Sequence, residues 1–314
     1  MRFKKIFRPF GDVPVFLAMR GIYGLGEMLP LFCYRPAARL LAAAGFACAG
    51  KVRRLILHNM FVALADEYSF TQRRMLAFRL FEEMILSFIE LAYFARITGK
   101  QWQRFVRIEN VELLREALRR GNGVVAVCAH LGNFPLMQST LSQCGFPVIN
   151  IARYSNNRYA TRMELDWRKK VGMPGIAKWN IRDTIVESLR WLKQGNLLCL
   201  YMDQHAGNGV KVRFFGRPVL VPTGISVFAR KCDCPVVGIF SHREQDGTHR
   251  IIVEGPYPLR KTADVNADHI ANTAYYMGRI EARVRHHPEQ WFSWFSNRFR
   301  EVQAEGKTGR NERR

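Results

Sequence analysis

Apolar positions recur at helical spacing through the first third of the chain and then give way to short apolar runs. Residues 51–65 and 71–97 carry apolar side chains three and four apart with few turn signals, and the whole of 1–100 reads as helical. Beyond it the period changes. A helix predicted over 111–120 is stopped by Gly121-Asn-Gly, and a short β-branched run follows at 124–129. Further strands are expected at 147–152, 197–202, 236–241 and 250–254. Helical patterns at 135–144, 158–171, 181–193, 224–231 and 269–286 separate most of them. This alternation predicts an α/β fold, a largely parallel mixed sheet flanked by helices, with a helical N-terminal region. The expected division is 1–100 as a helical scaffold and membrane-docking region, 101–302 as the α/β domain, and 303–314 as a basic tail too polar to fold.

Charge changes this picture. Lys and Arg number 48 against 26 acidic residues, a formal charge of +22 on 314 residues. Folding does not need such an excess, which points to an anionic partner: lipid head groups, a phosphorylated substrate, an acidic protein or nucleic acid. Hydrophobic residues make up 48%, enough for a real core and far from a disordered composition. Seven cysteines, an odd number with no C-x-x-C, are expected to be a buried, reduced set.

The N-terminal stretch has no secretory pattern, and between Val13 and Gly50 Arg20, Glu27, Arg35, Arg39, Pro30 and Pro36 interrupt any window long enough to span a bilayer. Phe3, Phe7, Phe10, Phe16, Leu17 and Phe32 are nonetheless interleaved with Lys4, Lys5, Arg8 and Arg20. That mixture suits a helix lying in a membrane interface, or an amphipathic helix packed on the domain.

The segment richest in chemistry is Gly123-Val-Val-Ala-Val-Cys-Ala-His130-Leu-Gly-Asn-Phe-Pro135. An apolar strand runs into a tight turn and then a helix, so His130 would stand at a strand's carboxyl end, where ligands of open α/β sheets collect. Gly132 allows the turn, Asn133 suits an N-cap, and a proline is tolerated in a first helical turn. Free N–H groups at that helix start would favour an anion or a developing oxyanion. The chain lacks a G-x-S-x-G elbow, a P-loop, a G-x-G-x-x-G after a strand and clustered metal-ligand spacing. A nucleic-acid role has only the charge in its favour, with no recognised module.

His130-Leu-Gly-Asn-Phe resembles the H-x-G-N-[WF] signature of the lipid A lauroyl/myristoyl acyltransferases, within the wider glycerolipid acyltransferase group and its H-x4-[DE] motif. Ala152-Arg-Tyr-Ser-Asn-Asn157 with Asp166-Trp-Arg168 is similar to that family's second block. Tyr201-Met-Asp203-Gln204, Val212-Arg-Phe-Phe-Gly216 and Pro222-Thr-Gly are similar to its third, and His287-Pro-Glu-Gln-Trp291 to its C-terminal end. The resemblance implies a glycerolipid acyltransferase-like fold and an acyl transfer in which His130 takes the proton from an acceptor hydroxyl. It implies acyl carrier protein, or acyl-CoA, as donor and a lipid A precursor or related anionic lipid or glycolipid as acceptor, at the cytoplasmic face of the inner membrane. It calls for no cofactor or metal and for no nucleic-acid partner. Arg153 and Arg168 become candidate substrate-binding residues because a guanidinium fork matches phosphate, joined by Gly132, Asn133 and Gln204. Phe214-Phe215 would wall an acyl channel or form a packed loop.

In one place the chain departs from the family. The family's carboxylate, five residues after the histidine, is Pro135 here, which can neither accept the imidazole proton nor stabilise an imidazolium. Three arrangements remain open. Another carboxylate, with Asp203 the leading candidate, replaces it; or His130 works unsupported; or the chain is a catalytically degenerate member acting as a lipid-binding or partner protein.

Overall fold

A computed structural model describes residues 8–97, 101–152, 155, 157–173, 175–177 and 180–299, with side chains from residue 13 onward. Among the described residues the N-terminal region contains four α-helices: α1 (Arg8–Met28), α2 (Tyr34–Cys48), α3 (Gly50–Leu64) and α4 (Phe70–Phe94). Ser69 begins α4 with a reciprocal capping box to Gln72, satisfying two backbone donors of its first turn.

The α/β part follows in order: β1 (Val106–Glu109), α5 (Val111–Arg119), β2 (Val124–Cys128), α6 (Phe134–Gln143), β3 (Val148–Ala152), α7 (Arg158–Lys170) and β4 (Gly175–Ala177). It continues through α8 (Ile181–Lys193), β5 (Leu197–Tyr201), β6 (Val210–Phe214), β7 (Arg217–Val221), α9 (Gly224–Cys232), β8 (Val236–Arg243), β9 (His249–Tyr257) and α10 (Val265–His286).

Seven strands form one sheet in the order β1-β9-β8-β2-β5-β3-β4. Every pairing is parallel except β8 with β9, so the sheet is mixed but mostly parallel, as the alternating pattern predicts. The five predicted strands are all present. Four more were not anticipated: β1, β4 and the separate hairpin β6–β7, whose two-residue turn Phe215-Gly216 has positive φ at both positions.

The strands at the centre are apolar on both faces: every residue of β2 is buried. One hydrophobic cluster runs from Ile56, Leu80 and Ile89 of α3 and α4 to Val125 and Val127 of β2 and on to Trp291 and Trp294. The helical region and the sheet therefore share a core. The interval 303–314 lies outside the described residues.

No cysteine is paired, and Cys128, Cys199 and Cys234 are buried. Cys33, Cys144 and Cys232 are half-buried and Cys48 is exposed, so the expected buried set holds for three of the seven. Among the described residues no helix is long and apolar enough to cross a membrane.

Candidate active site

Register builds the site. β2 and β5 pair in parallel with Cys128 opposite Tyr201. Two residues further along each strand, His130 and Asp203 leave the sheet side by side at its carboxyl edge. His130 Nδ1 lies 2.7 Å from Asp203 Oδ1, and the His130 backbone N–H donates to Oδ2 at 2.8 Å. Trp291 Nε1 and Ser293 Oγ donate to the same Oδ2, at 2.7 and 3.0 Å. Asp203 is wholly buried, which pushes its carboxyl up, but the facing imidazole and these donors outweigh burial and hold it down to about 2. An ionised Asp203 accepts from Nδ1–H and thereby sets the tautomer that leaves the Nε2 lone pair free.

The imidazole is packed on two sides and open on the third. Phe134 meets it edge-on at 4.9 Å between ring centres, and Tyr201 lies tilted across it at 4.8 Å. One-fifth of the His130 side chain is exposed. Gln204, exposed, places Nε2 of its amide 3.5 Å from His130 Nε2, which is contact rather than a firm hydrogen bond.

The turn after His130 is pressed onto β8. Gly132 has φ +57, and a Cβ there would come within 2.6 Å of the Ser241 carbonyl oxygen. Glycine is thus required on two counts, backbone conformation and space. Its N–H donates to the Gln290 carbonyl at 3.0 Å, while the His130 carbonyl accepts from Phe292 N–H at 2.8 Å. Asn133 caps α6 through Leu136 N–H and is 1% exposed. Its amide group points inward, donating to Glu90 Oε2 at 3.0 Å.

This geometry corrects one expectation. The sequence predicts free N–H groups at the helix start, but three of its donors are committed: Gly132 N–H to Gln290, Phe134 N–H to the Gly132 carbonyl and Leu136 N–H to Asn133, while Pro135 has none.

The other candidate residues are placed as follows. Arg168 donates to Asn150 Oδ1 at 3.0 Å and to Glu164 Oε1 at 2.9 Å, so much of its fork is committed. Its charge reaches the Tyr201 hydroxyl, whose pKa burial pushes well above the ordinary value, and which has no hydrogen-bond partner among the described residues. Arg153 lies outside the described residues. Phe214 and Phe215 are buried against Trp291, with Phe214 also against Phe299 and Phe215 against Trp294, a packed loop rather than a channel wall. The sequence does not single out Trp291 or Ser293 as partners of Asp203. Trp291 closes the His287–Trp291 block, which assigns its indole N–H no role, and Ser293 lies outside every motif of the sequence.

Two comparisons bear on identity. No curated protein matches the chain. The family model described as bacterial lipid A biosynthesis acyltransferase matches residues 2–301, nearly the whole length. With the strand–His130–helix turn, the third block carrying Asp203 and the C-terminal block carrying Trp291 all converging on one sheet edge, the chain belongs to the bacterial lipid A biosynthesis acyltransferases.

Proposed function

We propose that the protein moves a fatty acyl chain from acyl carrier protein, or acyl-CoA, to a hydroxyl of a lipid A precursor or a related anionic lipid or glycolipid. The observation that carries this reading is the His130–Asp203 pair at the carboxyl edge of the sheet in a chain of this family. The free Nε2 of His130 accepts the proton of the acceptor hydroxyl, and the oxygen attacks the thioester carbonyl carbon. A C–O bond forms and the tetrahedral intermediate's charge collects on the former carbonyl oxygen. The exposed Gln204 amide beside Nε2 is the side chain placed to donate to it. The C–S bond then breaks and the leaving thiolate takes the proton from the imidazolium, giving ester and thiol. Ionised Asp203 stabilises the imidazolium between the two steps; base help of this kind is worth about 10²–10⁴-fold.

Pro135 does not leave His130 without a carboxylate, because Asp203 occupies Nδ1. This favours the reading in which another acid replaces the family's carboxylate over a degenerate binding protein. The charge of +22 suits both an acidic carrier protein and an anionic lipid.

Docking on the cytoplasmic face of the inner membrane is part of the same proposal. Met28, Phe32 and Leu40 of the α1–α2 region are 83%, 80% and 74% exposed, with Arg20, Arg35 and Arg39 close in sequence. Apolar tips amid cations are what an interfacial helix pair presents to anionic lipid. Lys4, Lys5 and the side chain of Arg8 lie outside the described residues.

Mass spectrometry of lipids extracted from cells with and without the gene tests the proposal. A lipid one acyl chain lighter in the deletion supports it, and an unchanged acylated-lipid profile contradicts it.

A further inference from the structure

A buried ionic cluster lies behind the catalytic turn. Arg243, at the end of β8, donates from Nε to Glu83 Oε2 at 2.7 Å and pairs through Nη1 with Glu90; both acids come from α4. His249, at the start of β9, sets Nε2 3.0 Å from Arg243 Nη1 and 3.1 Å from Glu90 Oε2. All four residues are at least nine-tenths buried. Burying so many charges is costly, and apolar side chains of similar volume often hold a core as well or better. Stability alone therefore does not account for the cluster.

Its connections do. Glu90 accepts from the Asn133 amide, and the other end of that side chain caps α6. Arg243 N–H donates to Gln290 Oε1 at 2.7 Å, and Gln290 Nε2 donates back to the Arg243 carbonyl at 2.9 Å. The Gln290 carbonyl so fixed accepts from Gly132 N–H. One end of the Gly132-Asn133 step is thus tied to the Glu90 carboxylate, and the other, through Gln290, to the main chain of Arg243, whose side chain pairs with that carboxylate. Phe134, the next residue, packs its ring edge-on against the His130 imidazole.

We propose that Glu90 and Arg243 are positioning residues for His130, holding the turn 130–134 through Asn133 and Gln290 so that the imidazole keeps its alignment on Asp203. This rests on the reading of His130 as the base. The sheet edge supplies the acid–base pair; α4 supplies the acids of the brace, and β8 its arginine. Misplacement of a reacting group by about 1 Å costs on the order of 10²-fold.

The test cuts the ties without touching the cluster or the pair. Asn133→Ser keeps a hydroxyl that can cap α6 and removes the amide that reaches Glu90. Gln290→Met removes both side-chain bonds to Arg243 and leaves the backbone in place. In each variant kcat is expected to fall about 10- to 100-fold with KM changed by no more than a few-fold. The His130 Nδ1–H proton resonance, strongly deshielded against Asp203, is expected to shift or broaden. A scaffold role alone lowers the melting temperature and leaves that resonance and kcat where they are. Wild-type kcat and an unmoved resonance in both folded variants overturn the proposal, and if one variant fails to fold the other decides it. The resonance needs no substrate. A wild type inactive on every donor and acceptor therefore counts against the proposed function, while the resonance still reads the brace.

Discussion

His130 and Asp203 are 73 residues apart in the chain and touch twice, ring nitrogen to Oδ1 and backbone N–H to Oδ2. The second contact ties the carboxylate to the main chain of the residue whose ring it orients. Trp291 and Ser293 fill the acceptor positions that remain on Oδ2, so Asp203 has little freedom to turn away.

Asp203→Asn is therefore the sharpest test of charge at the site. The amide keeps the volume but cannot stabilise an imidazolium, and its NH2 group confronts donors. Transfer is expected to fall about 10²–10⁴-fold, read as kcat in a purified-enzyme assay with circular dichroism confirming the fold. A loss of less than tenfold would show that Asp203 is a bystander.

Pro135→Glu restores the family's carboxylate in sequence. Nδ1 of His130 is already taken by Asp203, so the rate is expected to stay within a few-fold of wild type or to fall. Glu near the start of α6 should raise stability by roughly 0.3–1 kcal/mol through the helix dipole. A rate gain of tenfold or more means that the pair with Asp203 is insufficient.

The membrane surface is tested by Met28→Ser, Phe32→Ser and Leu40→Ser together. Sedimentation with vesicles containing phosphatidylglycerol should fall at least tenfold, since each buried apolar side chain contributes about 1.5–3 kcal/mol. Equal binding by the triple variant would remove α1–α2 as the docking face.

Acid should destabilise the fold in two steps. Burial, helped by neighbouring His242, pushes His287 from 6.5 down to about 4. A value lowered on folding means stability that is present above 6.5 and lost as pH falls toward 4. Glu90 and Asp203 follow. Burial raises each, but Arg243 and His249 pull Glu90, and His130 pulls Asp203, down to about 2 from 4.5 and 3.8. Their contribution is complete above those ordinary values and is lost as pH falls toward 2. Urea unfolding at pH 7.5, 5 and 3.5 should show a falling midpoint, and His287→Gln should reduce the upper step, to which His242, His249 and His269, also lowered by burial, contribute. Constant stability from pH 7.5 to 3.5 would contradict these assignments.

Much of the fold was legible because its central strands are short apolar runs separated by amphipathic helices. What escaped was brief or at an edge: β1 has four residues, β4 has three, and β6 alternates buried and open positions in a stretch read as part of a motif. Asp203 could be named from its place after a strand, but its contact with His130 depends on the β2–β5 register, which strand periodicity does not encode. The part played by α4 was hidden for a different reason. Glu83 and Glu90 sit on a helix that also carries Arg73, Arg74, Arg79 and Glu82, so a carboxylate there reads as a solvated position until Arg243 is brought against it by the fold.

The central claim, that this chain is an acyltransferase acting through His130, is tested most directly by transfer of a labelled acyl chain from purified acyl carrier protein to a lipid A precursor and a panel of anionic lipids. Wild type and His130→Ala are compared, with products resolved by mass spectrometry. The account predicts an acceptor heavier by one acyl chain with wild type, and a rate lower by about 10²–10⁴-fold or undetectable with a folded His130→Ala. Equal rates for the two proteins would contradict it.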